Sequence, residues 1–183
     1  GYVRAPSQLL LGTYGMDTFF GNALAAGDFD GDGFSDVAIG AYAAAGSSGR
    51  VEIHRGGVEG LSLTPSAVLS GASGSRYGIA LSALGDVNGD GYEDLAVGAD
   101  GAAGFLGRVF VYLGSPRGLA TVSSAVLANT EGGQFGLAIT AAGDVNGDGY
   151  PDVAVAAPEA LGYGRVYVFT GAATGLDTTP WSV

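Results

Sequence analysis

Most of the acidic side chains of this 183-residue chain fall in three short stretches: GDFDGDGFSD at 27–36, GDVNGDGYED at 85–94 and GDVNGDGYPD at 143–152. Counted from its first aspartate, each stretch places an oxygen-bearing side chain at positions 1, 3, 5 and 9. In the first these are Asp28, Asp30, Asp32 and Asp36. In the second they are Asp86, Asn88, Asp90 and Asp94, and in the third Asp144, Asn146, Asp148 and Asp152. Donors at alternate positions of a tight loop converge on one point. Glycine at position 6 (Gly33, Gly91, Gly149) permits the sharp turn. The carbonyl of position 7 (Phe34, Tyr92, Tyr150) then faces inward as well. About five to seven hard oxygen donors with several negative charges suit Ca²⁺ better than Mg²⁺ or a thiophilic metal. The expected cofactor is therefore Ca²⁺, three per chain. Its simplest role is structural, because clustered carboxylates repel one another until a cation joins them.

Two other readings of the loops fail on spacing and on number. An EF-hand needs a bidentate Glu at position 12, where this chain has Ile39, Val97 and Val155. Asp, Asn and Gly also build plain turns, which would account for one such loop. It does not account for three with four donors each in the same register.

The rest of the composition narrows the chemistry further. The net charge is −11 and all seven basic residues are arginine, so the chain offers no basic face for nucleic acid. The same lack of basic residues weighs against electrostatic attraction to anionic lipid. There is no cysteine for a disulfide or a thiolate. No apolar run reaches membrane-spanning length, and GYVRAPSQLL does not read as a secretion signal.

The loops must be positioned by something that repeats with them. Asp28, Asp86 and Asp144 are spaced 58 residues apart. Upstream of each loop an aromatic–Gly pair recurs at 20–21, 77–78 and 135–136. Downstream come the apolar runs DVAIGA (36–41), DLAVGA (94–99) and DVAVAAP (152–158). Each is followed by an alternating stretch: GRVEIHRG (49–56), GRVFVYLG (107–114) and GRVYVFTG (164–171). A short last run closes the first two units, PSAVLSG (65–71) and SSAVLAN (123–129). Period-two alternation of β-branched and aromatic residues predicts strands. Four strands per unit with glycine-rich turns predict an all-β chain of three propeller blades, with repeats at about 13–71, 72–129 and 130–183. A β-sandwich would not keep so faithful a period.

The ends suggest how such a ring closes. Residues 6–12 align with the fourth strand of a unit, and TPWSV at the C-terminus aligns with the start of the same strand. Propellers generally have about 4–8 blades, and three left open would expose sheet faces. A homodimer giving a six-bladed ring is therefore expected, with the N-terminal strand 6–11 closing a blade.

At this point the chain resembles the FG-GAP repeat family, which includes the integrin α-subunit propeller. The resemblance rests on Phe20-Gly21, Tyr77-Gly78 and Phe135-Gly136 and on the positions Gly40-Ala41-Tyr42, Gly98-Ala99-Asp100 and Ala156-Ala157-Pro158, with the acidic loops between them. It implies blades of four antiparallel strands, with calcium in the loop joining strands one and two. In integrins those loops lie on the face opposite the ligand site, but the resemblance does not carry a closed ring, a ligand face or an adhesion partner to this chain. Integrins have seven blades where this chain has three repeats, and it has no Arg-Gly-Asp.

Catalytic groups are scarce. His54 is the only histidine and aligns with Tyr112 and Phe169, which makes it a packing or surface residue. Glu52, Glu93 and Glu131 do not recur as a pair. Arg50, Arg108 and Arg165 recur, as do Phe20, Tyr77 and Phe135, and repeat-wide positions serve the architecture. The segments that diverge are 42–48, 100–106 and 158–163, whose Phe105 and Tyr163 are candidate contacts for a partner. The expected function is a non-catalytic, calcium-binding module of an extracellular or cell-surface protein, whose secretion signal lies outside these residues. It would bind a protein or glycan, in adhesion or scaffolding. The alternatives are an accessory domain of a secreted hydrolase and a structural fragment without its own ligand.

Overall fold

A computed structural model describes residues 8–12, 15 and 18–181. The described residues form eleven strands in three antiparallel sheets, one per repeat. The first sheet holds β1 (Leu24–Gly27), β2 (Asp36–Ala41), β3 (Arg50–His54) and β4 (Ala67–Ser70). The second holds β5 (Leu81–Gly85), β6 (Asp94–Ala99), β7 (Arg108–Tyr112) and β8 (Ala125–Leu127). The third holds β9 (Ala138–Gly143), β10 (Asp152–Ala157) and β11 (Arg165–Phe169). Strands neighbour each other in sequence order. Equivalent residues pair identically: Val37 faces His54, Leu95 faces Tyr112 and Val153 faces Phe169. The place expected for His54 is thus confirmed.

The sheets pack through two cores that lie between blades. One joins the first two blades through Val51, Ile53, Tyr77, Leu95 and Val97. The other joins the second and third through Val109, Val111, Phe135, Val153 and Phe169. Each fully buried side chain of this size contributes about 1.5–3 kcal/mol. Inner strands β1, β5 and β9 touch in succession, the arrangement of neighbouring propeller blades. The aromatic–Gly pairs make the joints. Gly49 bridges Tyr77 and Gly107 bridges Phe135 across the junctions. Tyr77 and Phe135 are buried in them, whereas Phe20, at the same repeat position, is only half-buried, because no blade among the described residues packs on that side of it.

Glycine is required at one place in each junction. A Cβ on Gly40 would lie 2.3 Å from the Gly78 carbonyl oxygen, and one on Gly98 would lie 2.2 Å from that of Gly136. Only glycine lets the backbones approach this closely. The third blade has Ala156 there, on a face that no blade among the described residues covers.

Residues 8–11 form no strand, and 6–7 lie outside the described residues. A strand needs a ladder partner for its backbone groups, and this segment finds none within the described chain. It lies instead on the open face of the first blade, near Glu52, His54 and Leu63. The Leu61 amide donates to Gln8 Oε1 at 3.0 Å, and Gln8 Nε2 donates back to the Leu61 carbonyl. The third sheet has three strands among the described residues. The bond from Trp181 N to Val168 O (2.7 Å) repeats the one from Ser124 N to Val111 O (2.8 Å) that precedes the fourth strand of the second blade.

Candidate metal centres

The acidic loops join the first strand of each blade to the second. The turns at 44–47, 102–105 and 160–162 join the second strand to the third, at the opposite end of the sheet. Each loop is wound around its first aspartate. Asp28 Oδ1 accepts the amides of Gly31 (2.8 Å) and Asp32 (3.1 Å), and Oδ2 accepts that of Gly33 (2.9 Å). Asp86 accepts from Asp90 (2.9 Å) and Gly91 (2.7 Å). Asp144 accepts from Gly147 (2.7 Å), Asp148 (3.1 Å) and Gly149 (2.8 Å). These amide donors, Gly149 foremost, hold the Asp144 carboxyl below its ordinary pKa.

Positions 1, 3 and 5 come together. Carboxylate oxygens of Asp28, Asp30 and Asp32 lie within 4.8 Å of one another. In the other two loops the third position is an amide. Asn88 Nδ2 donates to Asp90 Oδ2 (2.9 Å) and Asn146 Nδ2 to Asp148 Oδ2 (2.7 Å). The amides of Phe34, Tyr92 and Tyr150 at position 7 turn to the position-5 carboxylate at 2.9, 3.1 and 2.9 Å.

Position 9 begins the second strand and is buried: Asp36, Asp94 and Asp152 are at most 1 % exposed. Each clamps backbone. Asp94 accepts the amides of Val87 and Gly114, both at 2.9 Å, and Asp152 those of Val145 (2.8 Å) and Gly171 (3.0 Å). Asp36 accepts from Gly56 at 2.9 Å. Burial pushes the Asp36 carboxyl up and Asp94 up to about 7, against the opposing pull of those amides.

Three features lay beyond the sequence reading. First, glycine at position 4 carries a positive φ too (Gly31 +72°, Gly89 +74°, Gly147 +79°). Its signal was the recurrence of Gly in all three loops. The missing side chain makes room for the next blade: a Cβ on Gly31 would lie 2.7 Å from the Tyr92 ring, and one on Gly89 2.8 Å from the Tyr150 ring. Second, neighbouring loops bond directly. Glu93 N donates to Asp28 O (3.3 Å), Ser115 N to Phe29 O (3.1 Å) and Ala172 N to Val87 O (3.1 Å). Third, Arg55 Nη1 lies 3.1 Å from Asp30 Oδ2. The first loop carries a carboxylate where the others carry an amide, and Arg55 stands where the other blades have Leu113 and Thr170. The arginine offsets the extra charge.

The remaining candidates resolve as packing. His54 is buried, with Nδ1 2.8 Å from the Ser62 carbonyl and Nε2 3.0 Å from Glu52. Both ring nitrogens are engaged, so neither is open to a substrate. Arg165 pairs with Glu131 at 3.1 Å. Phe105 (57 % exposed) and Tyr163 (96 % exposed) do project from the divergent turns.

The FG-GAP repeat matches the chain at residues 20–53, 77–112 and 135–169. The chain is similar to integrin alpha-PS2 of Drosophila melanogaster, 37 % identical over 173 residues, covering 87 % of this chain and 12 % of that protein. It is 34 % identical over 178 residues to integrin alpha-V of Gallus gallus, with 90 % and 16 % covered. Against integrin alpha-IIb of Mus musculus it is 36 % identical over 156 residues, with 78 % and 15 % covered. The chain thus spans about a sixth or less of the length of these relatives.

Proposed function

The chain belongs to the FG-GAP repeat family, and from that premise we propose that it is a non-catalytic, calcium-binding propeller module that presents one face to a protein or glycan ligand outside the cell. The observation that carries this reading is the convergence of Asp28, Asp30 and Asp32 in a loop that two further repeats copy. The donor set fits Ca²⁺: carboxylate, amide and carbonyl oxygens, with no nitrogen or sulfur donor. Asp28, Asp30, Asp32, Asp36 and the Phe34 carbonyl would hold the first ion. Asp86, Asn88, Asp90, Asp94 and the Tyr92 carbonyl would hold the second, and Asp144, Asn146, Asp148, Asp152 and the Tyr150 carbonyl the third. The cation would supply charge neutralisation, which matters most for Asp36 and Asp94, whose burial otherwise disfavours ionisation.

The residues of the chain do the rest. The position-9 aspartates tie each loop to the end of the third strand through Gly56, Gly114 and Gly171. Holding the loops fixes the blades, and fixed blades hold the turns at their other end, where Phe105, Leu161 and Tyr163 are exposed. Those turns are the proposed ligand face, and an extracellular setting supplies enough Ca²⁺ to fill even weak sites. No helix among the described residues is long and apolar enough to cross a membrane.

The ring is proposed to close through a second copy. Val166 of the third blade is 68 % exposed, whereas Val51 and Val109 at the same position are fully buried by the next blade. A blade docking there would sit slightly further out than at the internal junctions, because Ala156 replaces the glycine.

Titration calorimetry of the chelator-treated chain with CaCl₂ tests the calcium reading. Three sites and a rise in Tm with free Ca²⁺ are expected. A Tm unchanged by millimolar Ca²⁺ would overturn it.

A further inference from the structure

We propose that the second blade carries a binding site for a glutamate-type carboxylate, built around Arg108, and that the third blade shows how it is filled. A hollow of about 490 Å³ opens between the connection from the first blade to the second and the β6–β7 turn. Its lining includes Ser73, Gly101, Ala102, Arg108, Phe110 and Val126.

The same place exists in the third blade, because the repeats superpose in register. Gly107 bridges Phe135 as Gly49 bridges Tyr77. The aromatic pair Phe135–Tyr167 has its centroids 5.5 Å apart, as Tyr77–Phe110 does. Arg165 therefore corresponds to Arg108, Tyr167 to Phe110, and Glu131, four residues before Phe135, to Ser73, four residues before Tyr77. In the third blade the Glu131 carboxylate fills the position. One oxygen lies 3.1 Å from Arg165 Nη1, and the other accepts the Tyr167 hydroxyl at 2.5 Å. About 150 Å³ remains beside it.

In the second blade the serine is too short to reach, and it is exposed. Among the described residues no carboxylate lies within ion-pair distance of Arg108; the pairs formed are His54–Glu52, Arg55–Asp30, Arg76–Asp100 and Arg165–Glu131. A half-buried guanidinium facing an open hollow favours a carboxylate, which takes charge-assisted hydrogen bonds from it. The walls of Ala102, Phe110 and Val126 suit the short methylene arm that carries such a group. Phe110 lacks the tyrosine hydroxyl, so the guanidinium and the Ser73 hydroxyl supply the donors. This site is separate from the metal loops and its test does not depend on them.

The test is an NMR titration of the full chain in saturating Ca²⁺ at low salt, following Arg108 Nε–H and the Gly101 and Gly104 amides. The probes are the blocked peptide acetyl-Gly-Glu-Gly-amide, its glutamine counterpart and monomethyl glutarate. Saturable shifts with the two carboxylates are expected, at least tenfold weaker with the glutamine peptide. Ser73→Glu should abolish them by supplying the missing side chain from within, and Arg108→Gln should weaken them at least tenfold. A peptide tighter than the free acid assigns the ligand to a polypeptide, and equal affinity assigns it to a free carboxylic acid. Either supports the site. Equal shifts from the glutamine peptide, or binding by Ser73→Glu as strong as in the parent chain, would overturn it. Ser73 is exposed, so that variant keeps the proposal falsifiable even where Arg108→Gln does not fold.

Discussion

Alanine at Gly31 tests whether the acidic loops are mechanically joined from blade to blade. Gly31 has φ +72°, and an added Cβ would stand 2.7 Å from the Tyr92 ring of the next blade. Relief requires the half-buried Tyr92 ring, which meets the added Cβ through its outer edge, to turn away from the loop. Gly33 in the same loop has φ +87° and nothing within 4 Å of the equivalent Cβ. Both substitutions therefore carry the same backbone cost, about 1–2 kcal/mol for a non-glycine residue in the left-handed region. Only Gly31→Ala adds an overpacking term, about 1–3 kcal/mol. The expected losses are about 2–5 kcal/mol for Gly31→Ala and about 1–2 kcal/mol for Gly33→Ala. Gly89→Ala, 2.8 Å from the Tyr150 ring, should behave like Gly31→Ala. Urea unfolding in saturating Ca²⁺, with the midpoint read at constant slope, measures the difference. Equal losses at Gly31 and Gly33 would refute the reasoning, since they would leave the contact with Tyr92 no energetic weight.

Three further outcomes are expected. Arg55→Ala should raise the calcium affinity of the first loop, by up to about fivefold, because it releases Asp30 from an ion pair whose arginine is 40 % exposed and is worth at most about 1 kcal/mol; calorimetry of the variant would show a lowered affinity if Arg55 instead helps to hold the loop. Asp100 is fully buried and its carboxyl is pushed up by burial, against the pull of Arg76 at 3.0 Å. A raised folded-state pKa gives stability that is present below the ordinary carboxylate range and is lost as pH rises through the folded value. The stability of the parent chain relative to Asp100→Asn should thus fall from pH 4 upward in urea titrations, and a rise would contradict the burial argument. Val166→Asp should change the stability of a single chain by less than about 0.5 kcal/mol, as exposed sites do, yet abolish assembly seen by light scattering; a mass unaffected by the variant would remove this face from the interface.

Much of the candidate site was legible because its acidic cluster is local. Asp28, Asp30 and Asp32 lie within five residues, so spacing alone brings them together, and the repeat of 58 confirms the register. The strands were legible through their period-two pattern, and His54 could be placed by the repeat alone. The pairing of Arg55 with Asp30 was not, since it joins positions 25 residues apart that only the blade's hairpins bring together. The strand expected near the N-terminus fared differently. Its sequence matches a fourth strand, and residues 8–11 form none within the single chain, since the edge expected to receive them belongs to a second copy.

The sequence by itself determined the repeat, the number of blades in the chain and the oxygen-bearing side chains gathered in each loop, because all of these are written in spacing and residue type. Tertiary structure decided what spacing cannot express. Gly31 and Gly89 serve the blade that follows as well as the loop they bend. Arginines equivalent by repeat have unlike surroundings: Glu131 meets Arg165, and Ser73 leaves the hollow beside Arg108 open. The physical reason is that the fold sets side chains beside partners distant in the chain: Tyr92 of the next repeat beside Gly31, and, within one repeat, Glu131 beside Arg165 and Tyr77 beside Tyr112, 34 and 35 residues apart and within hydrogen-bond reach.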